Sequence, residues 1–236
     1  MQRLVFVHGS VVSGRPTWAA QKPLAERFEL VVLDRPGFPP NPPVERVDFE
    51  KDAHLVSGLL QRGDHVVGHS YGGVISLLAA AARPGLPASL TVIEPPATSV
   101  ALDDPDVATF AARGAGLFAS GRSDDPDAFL RRFLTAVGSS FDPPSPLTPE
   151  LEQGARALMV ERGPWEASIP LATLAAAGFP KLVVSGAHHA AFDAICDALE
   201  RELPAERIVL PGFGHTVQLH PEFNAALVDF VERASA

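Results

Sequence analysis

The sequence predicts an α/β fold, a mostly parallel central sheet flanked by helices. Six short, largely apolar runs carry most of that reading, at residues 4–7, 29–33, 65–68, 90–93, 181–185 and 207–210. A continuous apolar run of that length is what a strand buried on both faces of a parallel sheet requires. Helical patterns alternate with these runs, and strand–helix alternation gives parallel strands joined by helical crossovers. With 236 residues, 46% of them apolar, the chain can bury a full core. At about 150 residues per domain it makes one large domain, or one domain with a large insertion.

The elements follow in order. The strand at 4–7 leads to a helix over 16–27, opened by Pro16, whose missing N–H is no loss in a first turn. After the strand at 29–33 come five prolines within residues 36–43, a stiff surface loop or else a rigid wall of a binding site. A helix over 48–61 takes Asp48 as its N-cap and ends at Gly63. The strand at 65–68 runs into a Leu/Ala-rich helix over 70–83, and the strand at 90–93 follows. Residues 97–178 then break the rhythm, with helical patterns near 104–119, 127–137 and 149–162 and no good strand. The polar run at 121–126 and the proline-rich run at 141–146 separate those helices. The expected organisation is a core of residues 1–96 and 179–236 with a helical cap, 97–178, over the strand C-termini, where such sheets bind ligands. The strand at 181–185, a helix over 190–202, the strand at 207–210 and a helix over 221–233 complete the core.

Composition excludes several classes of function. The net charge is −9 and no basic run occurs, so the cationic footprint of a nucleic-acid binder is missing. No stretch of about 18 apolar residues is present to span a bilayer. The first strand begins almost at Met1, which leaves no room for a secretory signal and points to a cytoplasmic protein, a monomer or homodimer. A single cysteine, Cys196, excludes an intramolecular disulfide and a cysteine-rich metal site, and it reads as a small buried apolar residue. The histidines fit no standard ligand spacing, so no metal is expected.

Three motifs carry chemistry. Gly68-His69-Ser70-Tyr71-Gly72 lies between an apolar strand and a helix, the setting of a nucleophile elbow. Glycines two positions before and after Ser70 relieve crowding in a strained turn, so the hydroxyl can project. His8-Gly9-Ser10 follows the first strand, and the backbone amides of Ser10 and Tyr71 are the candidate donors to an oxyanion. Pro211-Gly212-Phe213-Gly214-His215 follows the last strand, on a loop suited to present an imidazole base to the serine. His8 is expected to be a structural loop residue. His54, His65 and His220 take surface or helix roles, and His69 adjoins the serine but points away from it.

Together these motifs, with Val31-Val32-Leu33-Asp34-Arg35-Pro36-Gly37-Phe38 after the second strand, resemble the α/β-hydrolase superfamily over residues 4–233. The resemblance implies a parallel sheet trimmed at its N-terminal edge, a helical cap, and a nucleophile–acid–histidine order along the chain. It also exposes a departure. The superfamily places an aspartate three residues after the glycine that ends the penultimate strand, and here that position is His189. Some members, including some haloalkane dehalogenases and lipases, carry the acid one strand earlier, where this chain has Glu94. Glu94 is therefore the candidate acid and Asp193 the fallback, while Asp34 fixes its own loop. A serine at the elbow, where a dehalogenase has aspartate, points to acyl-enzyme chemistry.

The function implied is a serine hydrolase of a small ester, thioester or related acyl compound, needing no cofactor. Two alternatives stay open: a non-hydrolytic member of the fold (lyase, cyclase or perhydrolase), and a ligand-binding protein that has lost catalysis. His189 and Trp165 are the expected substrate contacts, with His188 near the mouth of the site. Phe110, Phe118, Phe129, Phe133 and Phe141 either line an apolar pocket or pack the cap.

Overall fold

The computed structural model of the chain describes residues 1–120 and 125–235. The part of the expected 121–126 linker formed by residues 121–124 lies outside the described residues. Six strands form one all-parallel sheet: β1 (Arg3–Val7), β2 (Glu29–Leu33), β3 (Asp64–His69), β4 (Pro87–Ile93), β5 (Lys181–Ser185) and β6 (Glu206–Val209), in the spatial order β2-β1-β3-β4-β5-β6. Alternate side chains feed opposite faces, because strand side chains have a period of two. Val5, Val7, Val66, Leu90, Val92 and Val183 join one core cluster, whereas Leu4, Phe6, Val67, Ile93, Leu182 and Val184 join another. The first cluster is covered by α2 (Phe49–Leu59), α3 (Tyr71–Ala82) and α8 (Ala190–Glu202). The second is covered by α9 (Phe223–Arg233) and by Trp18, Leu24 and Phe28. Asp48 caps α2 by accepting the Glu50 amide at 2.9 Å, as its sequence position implies.

Three expectations need correction. β2 and β6 are the sheet edges and are only partly buried, so their apolar runs do not reflect burial on both faces. The helix expected over 16–27 is instead a single turn, α1 (Gly14–Thr17), followed by a 3-10 helix at Ala19–Glu26. Pro23 within that stretch has no N–H to donate along an α-helical ladder. The helix expected over 149–162 stops early, as α6 (Pro149–Met159). Beyond it the backbone pairs with the segment before α2: Arg162 donates its amide to the Val47 carbonyl at 2.8 Å, and Val47 donates to Val160 at 3.2 Å. That pairing brings Glu161 over the core.

Between β4 and β5 lie α4 (Pro105–Ser120), α5 (Pro126–Ala136), α6 and the short α7 (Leu171–Ala176). Phe129, Leu130 and Leu134 of α5 and Ala155 and Leu158 of α6 form a third apolar cluster, which includes Val11 from the loop after β1. No described helix is long and apolar enough to cross a membrane.

The seam between α6 and the β1 loop is tight at Gly154, where a Cβ would sit 1.8 Å from the Val11 carbonyl oxygen. Gly154→Ala must push the loop and helix apart. It is expected to cost about 1–3 kcal/mol of stability, as overpacking of a dense interior does. Urea denaturation checks this; a variant as stable as the parent would mean that the seam opens freely.

Candidate active site

Ser70 stands at the turn from β3 into α3 with φ 53° and ψ −127°, a strained conformation for a residue with a side chain. The turn is possible because its neighbours are glycines. A Cβ at Gly68 would meet the Gly72 carbonyl at 2.5 Å, and one at Gly72 would meet the Val7 carbonyl at 2.3 Å. Behind the hydroxyl, α3 begins at Tyr71, and the first amides of a helix have no carbonyl within the helix to bond.

A chain of hydrogen bonds runs from Ser70 to Glu94. The Ser70 hydroxyl donates to His215 Nε2 at 2.8 Å, and His215 Nδ1 donates to Glu94 Oε2 at 2.7 Å. Glu94 directly follows β4 with φ 43°, and its side chain is wholly buried. Its other oxygen, Oε1, accepts the Gly186 amide at 2.7 Å and His188 Nδ1 at 3.1 Å. Burial alone would raise the pKa of Glu94. The bonds from His188, His215 and Gly186 outweigh it and hold the value at about 2. Below the imidazole, His69 Nε2 donates to the His215 carbonyl at 2.7 Å, and the two rings lie 5.0 Å apart. His69 therefore does not point away from the site, as its position in the strand suggested; it holds the His215 loop. Burial, with His215 nearby, lowers its pKa to about 3 and keeps it neutral.

The loop after β1 is fixed from beneath. The Gly9 carbonyl accepts from Arg35 Nη1 at 2.8 Å and from His8 Nδ1 at 2.8 Å. His8 Nε2 in turn accepts the Arg35 amide at 3.0 Å, so the ring is neutral with its proton on Nδ1. C=O and N–H point opposite ways in a trans peptide. Holding the Gly9 carbonyl on Arg35 therefore turns the Ser10 N–H away from Arg35. Arg35 also pairs with Asp52 at 2.8 Å and with Glu161 at 3.2 Å, all three buried. Glu161 Oε2 accepts the Ser10 hydroxyl at 2.6 Å, which ties the end of α6 to this loop. Sequence reasoning missed Glu161, because the pattern placed it inside a helix.

Two cavities meet at Ser70, of about 480 and 530 Å³. Ser10, Ser70, Phe133 and Val137 line both. The first is apolar and contains His215, Phe213 and Leu219; the second contains Tyr71, Phe110, Phe118, Trp165, His188 and His189. Trp165 packs edge-on against Phe118 with ring centres 5.3 Å apart. His189 also caps α8, accepting the Ala191 amide on Nδ1 at 3.2 Å. Phe133 and Phe141 reach the first cavity, whereas Phe129 is buried in the α5–α6 cluster.

The remaining candidates fall elsewhere. Asp193 accepts from Ser185 Oγ at 3.1 Å and makes no bond to His215. Asp34 accepts the Gly14 amide at 2.8 Å and so fixes its own loop. The proline-rich loop lines neither cavity. His65 is not at the surface; it is buried in β3 against Ser89 Oγ at 2.8 Å. Cys196 is buried, and its thiol pKa is pushed up by that burial. Glu94, His188 and His215 bring one ligand-type atom each within 4.8 Å of one another. Those atoms already serve one another in hydrogen bonds, so the trio is a proton-sharing network in the described residues.

A parallel sheet with a strained serine elbow, and an imidazole returning to it from the last strand, defines a broad class of fold. Residues 4–227 match the model of that class, and the chain belongs to the alpha/beta hydrolase family. Over 168 residues it is 32% identical to the pimeloyl-[acyl-carrier protein] methyl ester esterase of Methylococcus capsulatus. That match takes in 71% of this chain and 62% of the relative, so the chain spans less than two thirds of the relative's length. Among solved structures, a thermophilic esterase from Thermogutta terrifontis superposes with a TM-score of 0.74 at 18% identity, covering 100% of this chain and 91% of that one. MenH from S. aureus gives 0.72 at 17% identity, covering 100% and 95%. At these identities the structural likeness is one of fold.

The buried cluster has a measurable signature. Arg35 serves two carboxylates, and burial pushes Glu161 up to about 7 despite the pull of Arg35 and Ser10. Between about pH 4.5 and 7 the unfolded chain releases this proton first, so Glu161 makes stability fall as pH rises. Glu161→Gln should remove that decline, giving a flatter melting temperature across the window than the parent. An unchanged slope would place the carboxyl in its ordinary range.

Proposed function

We propose that the protein is a serine hydrolase that cleaves a small ester, thioester or related acyl compound through an acyl-enzyme. The observation that carries this reading is the continuous hydrogen-bond chain Ser70–His215–Glu94, with links of 2.8 and 2.7 Å. A serine hydroxyl is a poor nucleophile until a base takes its proton. Ser70 Oγ attacks the acyl carbon as its proton passes to His215 Nε2. Glu94 holds the imidazole in the tautomer that leaves Nε2 free, and it stabilises the cation that forms. The amides of Ser10 and Tyr71 donate hydrogen bonds to the developing oxyanion, a contribution of about 3 kcal/mol for each fixed donor. His215 returns the proton to the leaving oxygen or sulfur. It then activates water, which releases the acid and restores Ser70.

The two cavities give the substrate a direction. His215 lines the first cavity and must reach the leaving group, so the alcohol or thiol side lies there. The acyl side then lies in the second cavity, against Trp165 and His189. Residues 97–178 act as the cap over both. Hydrolysis of an ester is also what the name of the Methylococcus relative describes, which supports an ester as the first substrate to test.

A panel of p-nitrophenyl esters and acyl-thioesters tests the reading. Ser70→Ala should abolish turnover and labelling by a fluorophosphonate probe while the variant still folds; more than a few per cent of residual activity would overturn the mechanism. Glu94→Gln should lower kcat by about 10²–10⁴-fold, as loss of the orienting carboxylate does. Asp193→Asn should stay within about threefold of the parent, since it touches no reacting group.

A further inference from the structure

Among the described residues, His188 is the side-chain partner of the Glu94 carboxylate that the serine mechanism leaves unused. Its ring joins two acceptors. Nδ1 lies 3.1 Å from Glu94 Oε1, and Nε2 lies 3.2 Å from the backbone carbonyl of Val137, at the C-terminal end of α5. A carbonyl oxygen can only accept, so Nε2 carries a proton. An ionised carboxylate can only accept, so Nδ1 carries one as well. Both bonds exist at once only if the ring is an imidazolium. His215 differs: its Nε2 faces the Ser70 hydroxyl, which can donate as well as accept, so its two contacts do not require a second ring proton.

We propose that His188 is a positioning residue, an imidazolium clasped between the carboxylate of Glu94 and the cap backbone at Val137, which ties the cap to the triad acid and takes up part of its charge. The proposal rests on the serine-triad reading for its catalytic consequence, although the charge on the ring does not. The surroundings are consistent with it. Phe192 stacks on the ring at 5.9 Å and 22°. Gly138 leaves room for it, since a Cβ there would come within 3.1 Å of His188 Cδ2. The charged and titratable groups around the ring are Glu94 from β4, Asp193 from α8, His189 at the α8 cap and His215 from the loop after β6; Asp106 and Arg113 of α4 line the same cavity. From the end of α5 the Val137 carbonyl and Gly138 approach the ring. Burial works against a charge on His188, but the Glu94 carboxylate outweighs it and leaves the pKa above the ordinary histidine value.

The clasp has two effects. The cap cannot lift at the end of α5 without breaking the bond between Val137 and His188, the residue that holds Glu94. The His188 charge, its ring 5.9 Å from that of His215, also opposes protonation of His215. Activity is thereby carried to lower pH than Glu94 acting on His215 alone would permit.

Two measurements test this. The first is the pH profile of kcat/KM for p-nitrophenyl butyrate in the parent and in His188→Gln, whose amide still donates to Glu94 but carries no charge. The acid limb of the variant should move up by about one pH unit or more; superposed limbs would overturn the proposal. The second uses the parent alone: ¹⁵N spectra of His188 at pH 6 should show both ring nitrogens protonated. A neutral ring there would overturn the proposal whatever the variant does. Absence of ester turnover and of fluorophosphonate labelling in the parent would instead count against the serine-triad reading, and the ¹⁵N spectra would still decide the charge on His188.

Discussion

A carboxylate with no exposed surface must be met by donors on every side, or it will not stay ionised. Glu94 is such a group, and much of the site is arranged around it. Three donors converge on its two oxygens, from His215, His188 and the Gly186 amide. They come from the loop after β6 and from the turn after β5, and Glu94 itself directly follows β4. One buried charge thus gathers three strand ends and fixes the orientation of His215 toward Ser70.

The backbone is bent to the same purpose. Val11, Ser70, Glu94 and Ala187 have positive φ without being glycine, and they follow β1, β3, β4 and β5 respectively. Such conformations cost of order 1–3 kcal/mol each and persist where packing enforces them. Here the enforcement is visible. Arg35 and His8 hold the Gly9 carbonyl, the glycines around Ser70 let β3 turn, and the Gly186 amide sits on Glu94. The sheet core lies directly below these turns, so rigid strands supply the alignment that loops alone would not.

The strands were legible in the sequence because apolar runs and their spacing depend on local composition. Ser70 and His215 were legible because each sits in a glycine-flanked motif at a strand end. Glu94 stood out as an ionisable residue ending a buried strand, just before two prolines. What was hidden depended on contacts between distant segments. Glu161 fell within the helix expected over 149–162, and the pairing of residue 162 with Val47 turns it onto Arg35 and Ser10. His188 and His189 looked alike in sequence; the turn at Ala187 sends one to Glu94 and leaves the other to cap α8. The stretch before β2 departs from the expected helix because Pro23, inside it, has no N–H to donate along an α-helical ladder.

Ser70 and His215 lie 145 positions apart, and Glu94 and His215 lie 121 apart. Ser70, Glu94 and four of the six strands are therefore synthesised long before His215, whose ring completes the hydrogen-bond chain. A growing chain that has not yet passed the final strand lacks both His215 and the wall of the first cavity formed by Gly212, Phe213 and Leu219. On the serine-hydrolase mechanism proposed above, labelling of Ser70 waits on the segment after β6, and so reports completed folding as much as chemistry.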